Sequence, residues 1–261
     1  MKYDAAAAAA FYDEYGEREW TRFEDGRTSS ISLTTHLHYL RRFVGAGDRV
    51  LDIGCGPGRF TLALAALGAR TVAADLSPRQ LELHRENVPD DAVEARVLAD
   101  VVDLSQFGRD EFDAVVCFGG PLSYALDRAP DAVAELARVT RPGGDVLVSV
   151  MSLIGSTLGA IGGVSSIVER YGADTVRRVT QTGHLLSEHS GGHLEMKLFR
   201  SRELTALLEP HGTVVATAAA GMFRETEDDD LELLTELELD FGAEPGAVDL
   251  GRHIIGVLRV A

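Results

Sequence analysis

Residues Val50 to Phe60 read VLDIGCGPGRF, a short apolar strand that ends in Asp52 and turns through Gly54, Gly56 and Gly58 into a helix. Glycine lets the backbone turn sharply and places no Cβ between chain and ligand, while the start of the following helix offers unpaired N–H groups. A ligand is expected on this turn, with Cys55 contributing its backbone rather than a reactive thiol. The spacing GxGxG, directly after an acidic strand end, differs from the GxGxxG of dinucleotide-binding turns, although a nicotinamide dehydrogenase uses the same strand, turn and helix. An acid beside the first glycine disfavours a pyrophosphate and suits a cationic amino group, so Asp52 is read as a ligand contact.

Outward from this turn the chain alternates short β-type runs with helical ones: RVLDI, RFTLALAALG, RTVAAD, PRQLELHREN, EARVLAD, then FDAVVCF, APDAVAELARVT, the turn RPGG and DVLVSVMS. That rhythm predicts five parallel strands with helices on both faces. Residues 153–200, rich in Gly, Ser and His, break it and are read as a cap insertion. The helix SRELTALLEPHG and the strands TVVATAA and RHIIGVLRV resume it, separated by the acidic helix EDDDLELLTELELDFG, expected to pack through Leu231, Leu234, Leu237 and Phe241. At 261 residues the chain suits one domain. Its expected parts are an N-terminal helical lid (1–44), a ligand-binding core (45–152), the cap (153–200) and the end of the sheet with the acidic helix (201–261).

Hydrophobic residues at 45% and charged residues at 25% describe a globular protein. The formal charge of −16 disfavours a nucleic-acid partner. Cys55 and Cys117 belong to no CxxC pair, and free thiols without a metal site are expected. The AAAAAA run at residues 5–10 is too short for a signal-peptide core, and no apolar stretch approaches the roughly 20 residues of a spanning helix. A cytoplasmic protein, without a membrane partner and either monomeric or homodimeric, is the expectation.

The segment DIGCGPG resembles the first motif of class I S-adenosylmethionine-dependent methyltransferases, and later segments match that family in order across roughly residues 45–150. The resemblance implies a Rossmann-like α/β fold with a central, mostly parallel seven-stranded sheet, and S-adenosylmethionine as cofactor with S-adenosylhomocysteine as product. It makes Asp75, in VAADLSP, the acid that holds both ribose hydroxyls, with Leu76 and Gln80 beside it. Asp100, in VLAD, becomes the acid that meets the adenine amino group, next to Val101. FDAVVCFGGPLSY resembles the fourth motif and places Phe118 at the donor and Ser123 and Tyr124 at the boundary with the acceptor. The tail LLTELELDFGAEPGAVDLGRHIIGVLR is similar to bacterial enzymes that methylate carboxymethoxyuridine in tRNA, where Arg252 matches an arginine of that family.

Methyl transfer from a sulfonium needs alignment and exclusion of water, and needs a general base only where the acceptor must lose a proton. His184, His189 and His193 lie in the cap; His193, before LEMKLF, is the candidate base, His184 a substrate contact, and the alternative is that all three are polar loop residues. In the aromatic lead-in of Phe11, Tyr12, Tyr15, Trp20 and Phe23, Tyr12 and Trp20 are donor contacts through the sulfonium and Tyr15 a second catalytic candidate. The reading is methylation of a small molecule at oxygen, nitrogen or a carboxyl group. A tRNA wobble-uridine carboxyl methyltransferase and a non-catalytic S-adenosylmethionine-binding protein are the alternatives.

Overall fold

The computed structural model describes residues 2–21, 30–160, 164–190, 192–223 and 230–261. Phe23, Gly191 of the cap and the start of the acidic segment at 227–229 fall outside them. Helices α1 (Ala5–Tyr15), α2 (Arg18–Thr21) and α3 (Ser30–Phe43) precede β1 (Arg49–Ile53), α4 (Arg59–Ala66), β2 (Arg70–Asp75), α5 (Pro78–Asn87) and β3 (Ala95–Leu98). Then come β4 (Phe112–Cys117), the single turn α6 (Pro121–Tyr124), α7 (Ala129–Val139) and β5 (Thr140–Met151). Helices α8 (Leu153–Ala160), α9 (Val164–Tyr171) and α10 (Ala173–Thr182) and the hairpin β6 (His184–Leu185) and β7 (Met196–Lys197) follow. The chain closes with α11 (Ser201–Leu208), β8 (Gly212–Ala220), α12 (Leu231–Gly242) and β9 (His253–Val260).

Seven strands form one sheet in the order β3-β2-β1-β4-β5-β9-β8. β1 to β5 run parallel, and β9 inserts antiparallel between β5 and β8. Val50, Leu51, Ile53, Val115, Val116 and Leu147 are all buried, as expected of central strands covered on both faces. The antiparallel pair β5 and β9 is clamped at one end by Arg259, whose guanidinium meets both carboxylate oxygens of Asp145 at 3.0 and 2.9 Å.

The strand order reverses at β1, which lies between β2 and β4. The chain leaving β1 and the chain leaving β4 therefore turn to opposite sides, and a crevice opens at their carboxyl ends.

Two expectations change, and the secondary structure of the cap, left open by the sequence, is defined. RPGG lies within β5, where the pairing with β4 shifts register between Phe112 and Ala114. The cap is largely helical, because VSSIVERY and ADTVRRVTQT each form a helix. The acidic helix packs through only part of its predicted apolar set: Leu234 and Leu237 are half-buried, Leu231 and Phe241 are 47% and 48% exposed, and the fully buried residues are Glu238 and Gly242. The Glu238 carboxylate accepts the backbone N–H groups of Gly221, Met222 and Phe223 at 2.6–3.1 Å, which turns that face inward.

Candidate functional site

The turn after β1 lines this crevice. Gly54 has φ 74°, and a Cβ on it would stand 2.6 Å from Cγ of Pro121, the residue that opens the turn after β4. Only glycine lets the two sides of the crevice approach so closely. The Gly54 and Cys55 amides donate to Ala74 O at 2.8 and 3.0 Å, tying the turn to β2.

Asp75, at the end of β2, is buried and oriented by two backbone amides: Gly56 N–H to Oδ2 and Ser77 N–H to Oδ1, both at 2.9 Å. Burial outweighs these bonds and pushes its carboxyl up to about 6. Ser77 caps α5, and one turn later Gln80, 1% exposed, reaches back to the same place. Its Nε2 donates to Tyr12 O at 2.9 Å and Gly16 O at 3.2 Å. Two carbonyls as partners fix which end of the amide is nitrogen. Oε1 is left buried without a partner among the described residues, in a side chain that lines the cavity. At the far end Asp100 Oδ1 accepts the Tyr3 hydroxyl at 2.8 Å and the Val102 amide at 3.0 Å. Burial and the Asp100 charge hold the Tyr3 phenol well above its ordinary range.

Gly54, Cys55, Gly56, Asp75, Leu76, Gln80, Asp100, Val101, Phe118, Tyr12 and Tyr124 thus line one cavity. Its geometry offers two carboxylates and an open acceptor oxygen along an apolar, ring-lined trough. Burial pushes the Cys55 thiol up, which disfavours its thiolate.

Residues 50–144 match the family described as methyltransferase domain. The core of this chain is thus similar to methyltransferase domains over residues 50–144. Among curated proteins the chain is 43% identical over 108 residues to a demethylmenaquinone methyltransferase of Clavibacter sepedonicus, covering 41% of this chain and 42% of that one. It is 34% identical over 111 residues to a ubiquinone biosynthesis O-methyltransferase of Xanthomonas oryzae pv. oryzae, covering 41% and 44%. The chain thus spans less than half the length of the curated relatives it matches. A solved S-adenosylmethionine-dependent methyltransferase from Mesorhizobium loti superposes with a TM-score of 0.61 at 21% identity, covering 87% of this chain and 97% of that one, a likeness of fold. The cofactor of this domain class is S-adenosylmethionine, and the donor set fits it: Gln80 Oε1 and the Asp75 carboxylate are acceptors suited to ribose hydroxyls.

Other predicted residues lie elsewhere in the fold. Asp52 points away from the cavity, because side chains alternate along a strand and Ile53 takes the cavity face. Its Oδ2 accepts the Thr61 hydroxyl at 2.6 Å, and burial pushes its carboxyl up to about 7. Gly58 caps α4 with φ 100°, against Val88 and His84. Trp20 is held under the Arg59 guanidinium, 4.3 Å from the ring centroid, so Arg59 and not the indole faces the cavity. Ser123 is buried and its Oγ accepts the Met151 amide at 2.9 Å. His184 is exposed on β6 beside Lys197. Arg252 is exposed before β9, its backbone tied to Ser152 and Gly221, outside the cavity.

His189 packs on Tyr171 with centroids 5.0 Å apart, so the three cap histidines do not converge. Among the described residues no group of His, Cys, Asp and Glu is arranged to hold a metal ion. His193 joins a ring cluster at the cavity mouth: it stacks on Tyr124 at 5.6 Å and meets Phe11 at 4.7 Å, Tyr15 at 6.1 Å and Tyr12 at 6.5 Å. Its Nδ1 accepts the Leu194 N–H at 2.9 Å. An acceptor Nδ1 puts the proton of the neutral ring on Nε2. Tyr15 belongs to the cluster and carries the Arg18 guanidinium 4.7 Å over its ring, but does not line the cavity.

Sequence reasoning missed Tyr3, Glu19, Arg59, Phe60 and Pro121, all of which line the cavity. Arg59 and Phe60 follow the glycine turn directly and were within reach of the motif. Tyr3 gave no signal, because its partner is 97 residues away.

Proposed function

We propose that this protein transfers the methyl group of S-adenosylmethionine to a small organic acceptor. The observation that carries this reading is the convergence of the Gly54–Gly58 turn, Asp75 and the unpartnered Oε1 of Gln80 on one cavity. The sulfonium supplies an already activated methyl group. The residues of this chain bind, orient and exclude water. Asp75 and Gln80 accept from the ribose hydroxyls, and Asp100 receives the adenine amino group beside Val101. Tyr12, Phe60, Phe118 and Tyr124 bring ring faces to the trough, which suits a flat, largely apolar acceptor placed in line with the methyl–sulfur bond. The names of the quinone-pathway relatives support an acceptor of this small, cyclic kind.

The N-terminal segment closes the trough. Asp13 Oδ1 accepts the Ser77 hydroxyl at 2.5 Å and the Arg79 amide at 3.1 Å, and Arg59 donates to Trp20 O at 2.8 Å. Held so, α1 and α2 shield the sulfonium from water.

The test is incubation of purified protein with methyl-labelled S-adenosylmethionine and a source-cell extract, followed by separation of small molecules, RNA and protein. Label in the small-molecule fraction is the expected result. Label in tRNA, or none in any fraction despite binding of S-adenosylhomocysteine, would overturn it.

A further inference from the structure

Below the donor turn, on the face turned away from the cavity, four buried polar side chains form a continuous hydrogen-bonded chain. Arg96 Nε donates to His84 Nδ1 at 2.9 Å. His84 Nε2 lies 3.0 Å from Thr61 Oγ1, and Thr61 Oγ1 lies 2.6 Å from Asp52 Oδ2. Asp52, Thr61 and His84 are buried, and the Arg96 side chain is 8% exposed. The other guanidinium nitrogens of Arg96 reach Asp90 at 2.6 Å and Val88 O at 2.6 Å.

Chemistry fixes the direction of every bond. Arginine only donates, so His84 Nδ1 accepts and its proton sits on Nε2. Nε2–H then donates to the Thr61 oxygen, whose single hydrogen goes to Asp52. Burial and the neighbouring Arg96 push the His84 imidazole down to about 4, which keeps the ring in the neutral form this order requires.

The four residues come from β3, α5, α4 and β1, the elements whose ends frame the donor turn. A Cβ on Gly58 would meet His84 Cδ2 at 3.1 Å and collide with the Val88 side chain, so the turn rests on the middle of this chain.

We propose that the directional chain Arg96 to His84 to Thr61 to Asp52 sets the shape of the donor-binding turn, making Thr61 and His84 positioning residues for S-adenosylmethionine although neither touches the cavity. The proposal rests on the donor-site reading above. A hydroxyl or ring nitrogen removed here leaves a buried donor and a buried acceptor without partners, and the strain is relieved by shifting β1, α4 or α5 against one another.

Binding of S-adenosylhomocysteine is measured by calorimetry on the full chain, with thermal melts as the folding control. Thr61→Val is expected to weaken binding about tenfold, while Thr61→Ser, which keeps the hydroxyl, stays within about twofold of the unsubstituted protein. His84→Phe should weaken binding similarly, and His84→Gln, which presents an oxygen to Arg96 and an N–H to Thr61, should restore it. If Thr61→Val does not fold, the His84 pair decides alone. Unchanged affinity in Thr61→Val or His84→Phe, or equal losses in the conservative and the apolar variants, would overturn the proposal while leaving the donor site standing. Failure of the unsubstituted protein to bind S-adenosylhomocysteine would overturn the donor-site reading and this proposal with it.

Discussion

The side-chain amide of Gln80 donates to the carbonyl oxygen of Tyr12 at 2.9 Å, and its other end is an unpaired oxygen at the donor cavity. One side chain thus links the end of α1 to the place proposed for the ribose. Gln80→Met, which keeps the length and loses both polar ends, is expected to lower affinity for S-adenosylhomocysteine about tenfold. The same variant should speed amide exchange across residues 5–16. Wild-type exchange in α1 with weakened ligand binding would separate the two roles and count against the link.

Asp75 is expected to hold the ribose through charge-assisted bonds of about 1.5–3 kcal/mol each. Asp75→Ala should therefore weaken donor binding at least tenfold, with a small change in melting temperature. Because burial puts this carboxyl at about 6, donor affinity of the unsubstituted protein should fall as pH drops through that value and the acceptor is lost. A dissociation constant flat from pH 8 to pH 5 would reject the assignment.

Asp52 gives the opposite pH lever on stability. Its folded-state pKa, about 7, lies above the value of about 3.9 expected in the unfolded chain. The folded protein holds a proton that the unfolded chain has released, so this contribution to stability is full below about pH 4 and is lost as pH rises through 7. Asp52→Asn, which still accepts from Thr61, should gain on the unsubstituted protein by a few degrees in melting temperature between pH 5 and pH 8. A constant difference across that range would contradict the burial of an ionising group there.

Tyr3 should matter for folding of the N-terminus. Tyr3→Phe removes the hydroxyl bonded to Asp100 and is expected to cost about 1 kcal/mol in urea denaturation, with no loss of secondary structure. An unchanged midpoint would show that the bond contributes nothing net.

His193 tests the reading of its proton. Removing a general base costs about 10²–10⁴ in rate, whereas His193→Phe, which preserves the ring cluster, is expected to keep the single-turnover rate within about threefold. A hundredfold loss, together with a missing acid limb in the pH profile, would identify His193 as the base.

The sheet, the glycine turn and the position of Asp75 at the end of β2 are legible in the sequence, because they depend on local periodicity and on backbone freedom within a few residues. VLDIGCGPGRF needs no distant partner to turn, and the strand and helix alternation around it admits few topologies. The tertiary structure alone decided what each polar side chain meets. Asp52 faces Thr61 and not the cavity, because which face of β1 is which depends on the packing of α4 and α5. Tyr3 reaches Asp100 and Asp13 reaches Ser77 across 97 and 64 residues. The sequence of α12 points to its apolar residues as the packing face, yet Glu238 is buried because three amides of a separate loop converge on it. Hydrogen-bond partners are fixed by three-dimensional convergence, and no local pattern in the chain encodes that.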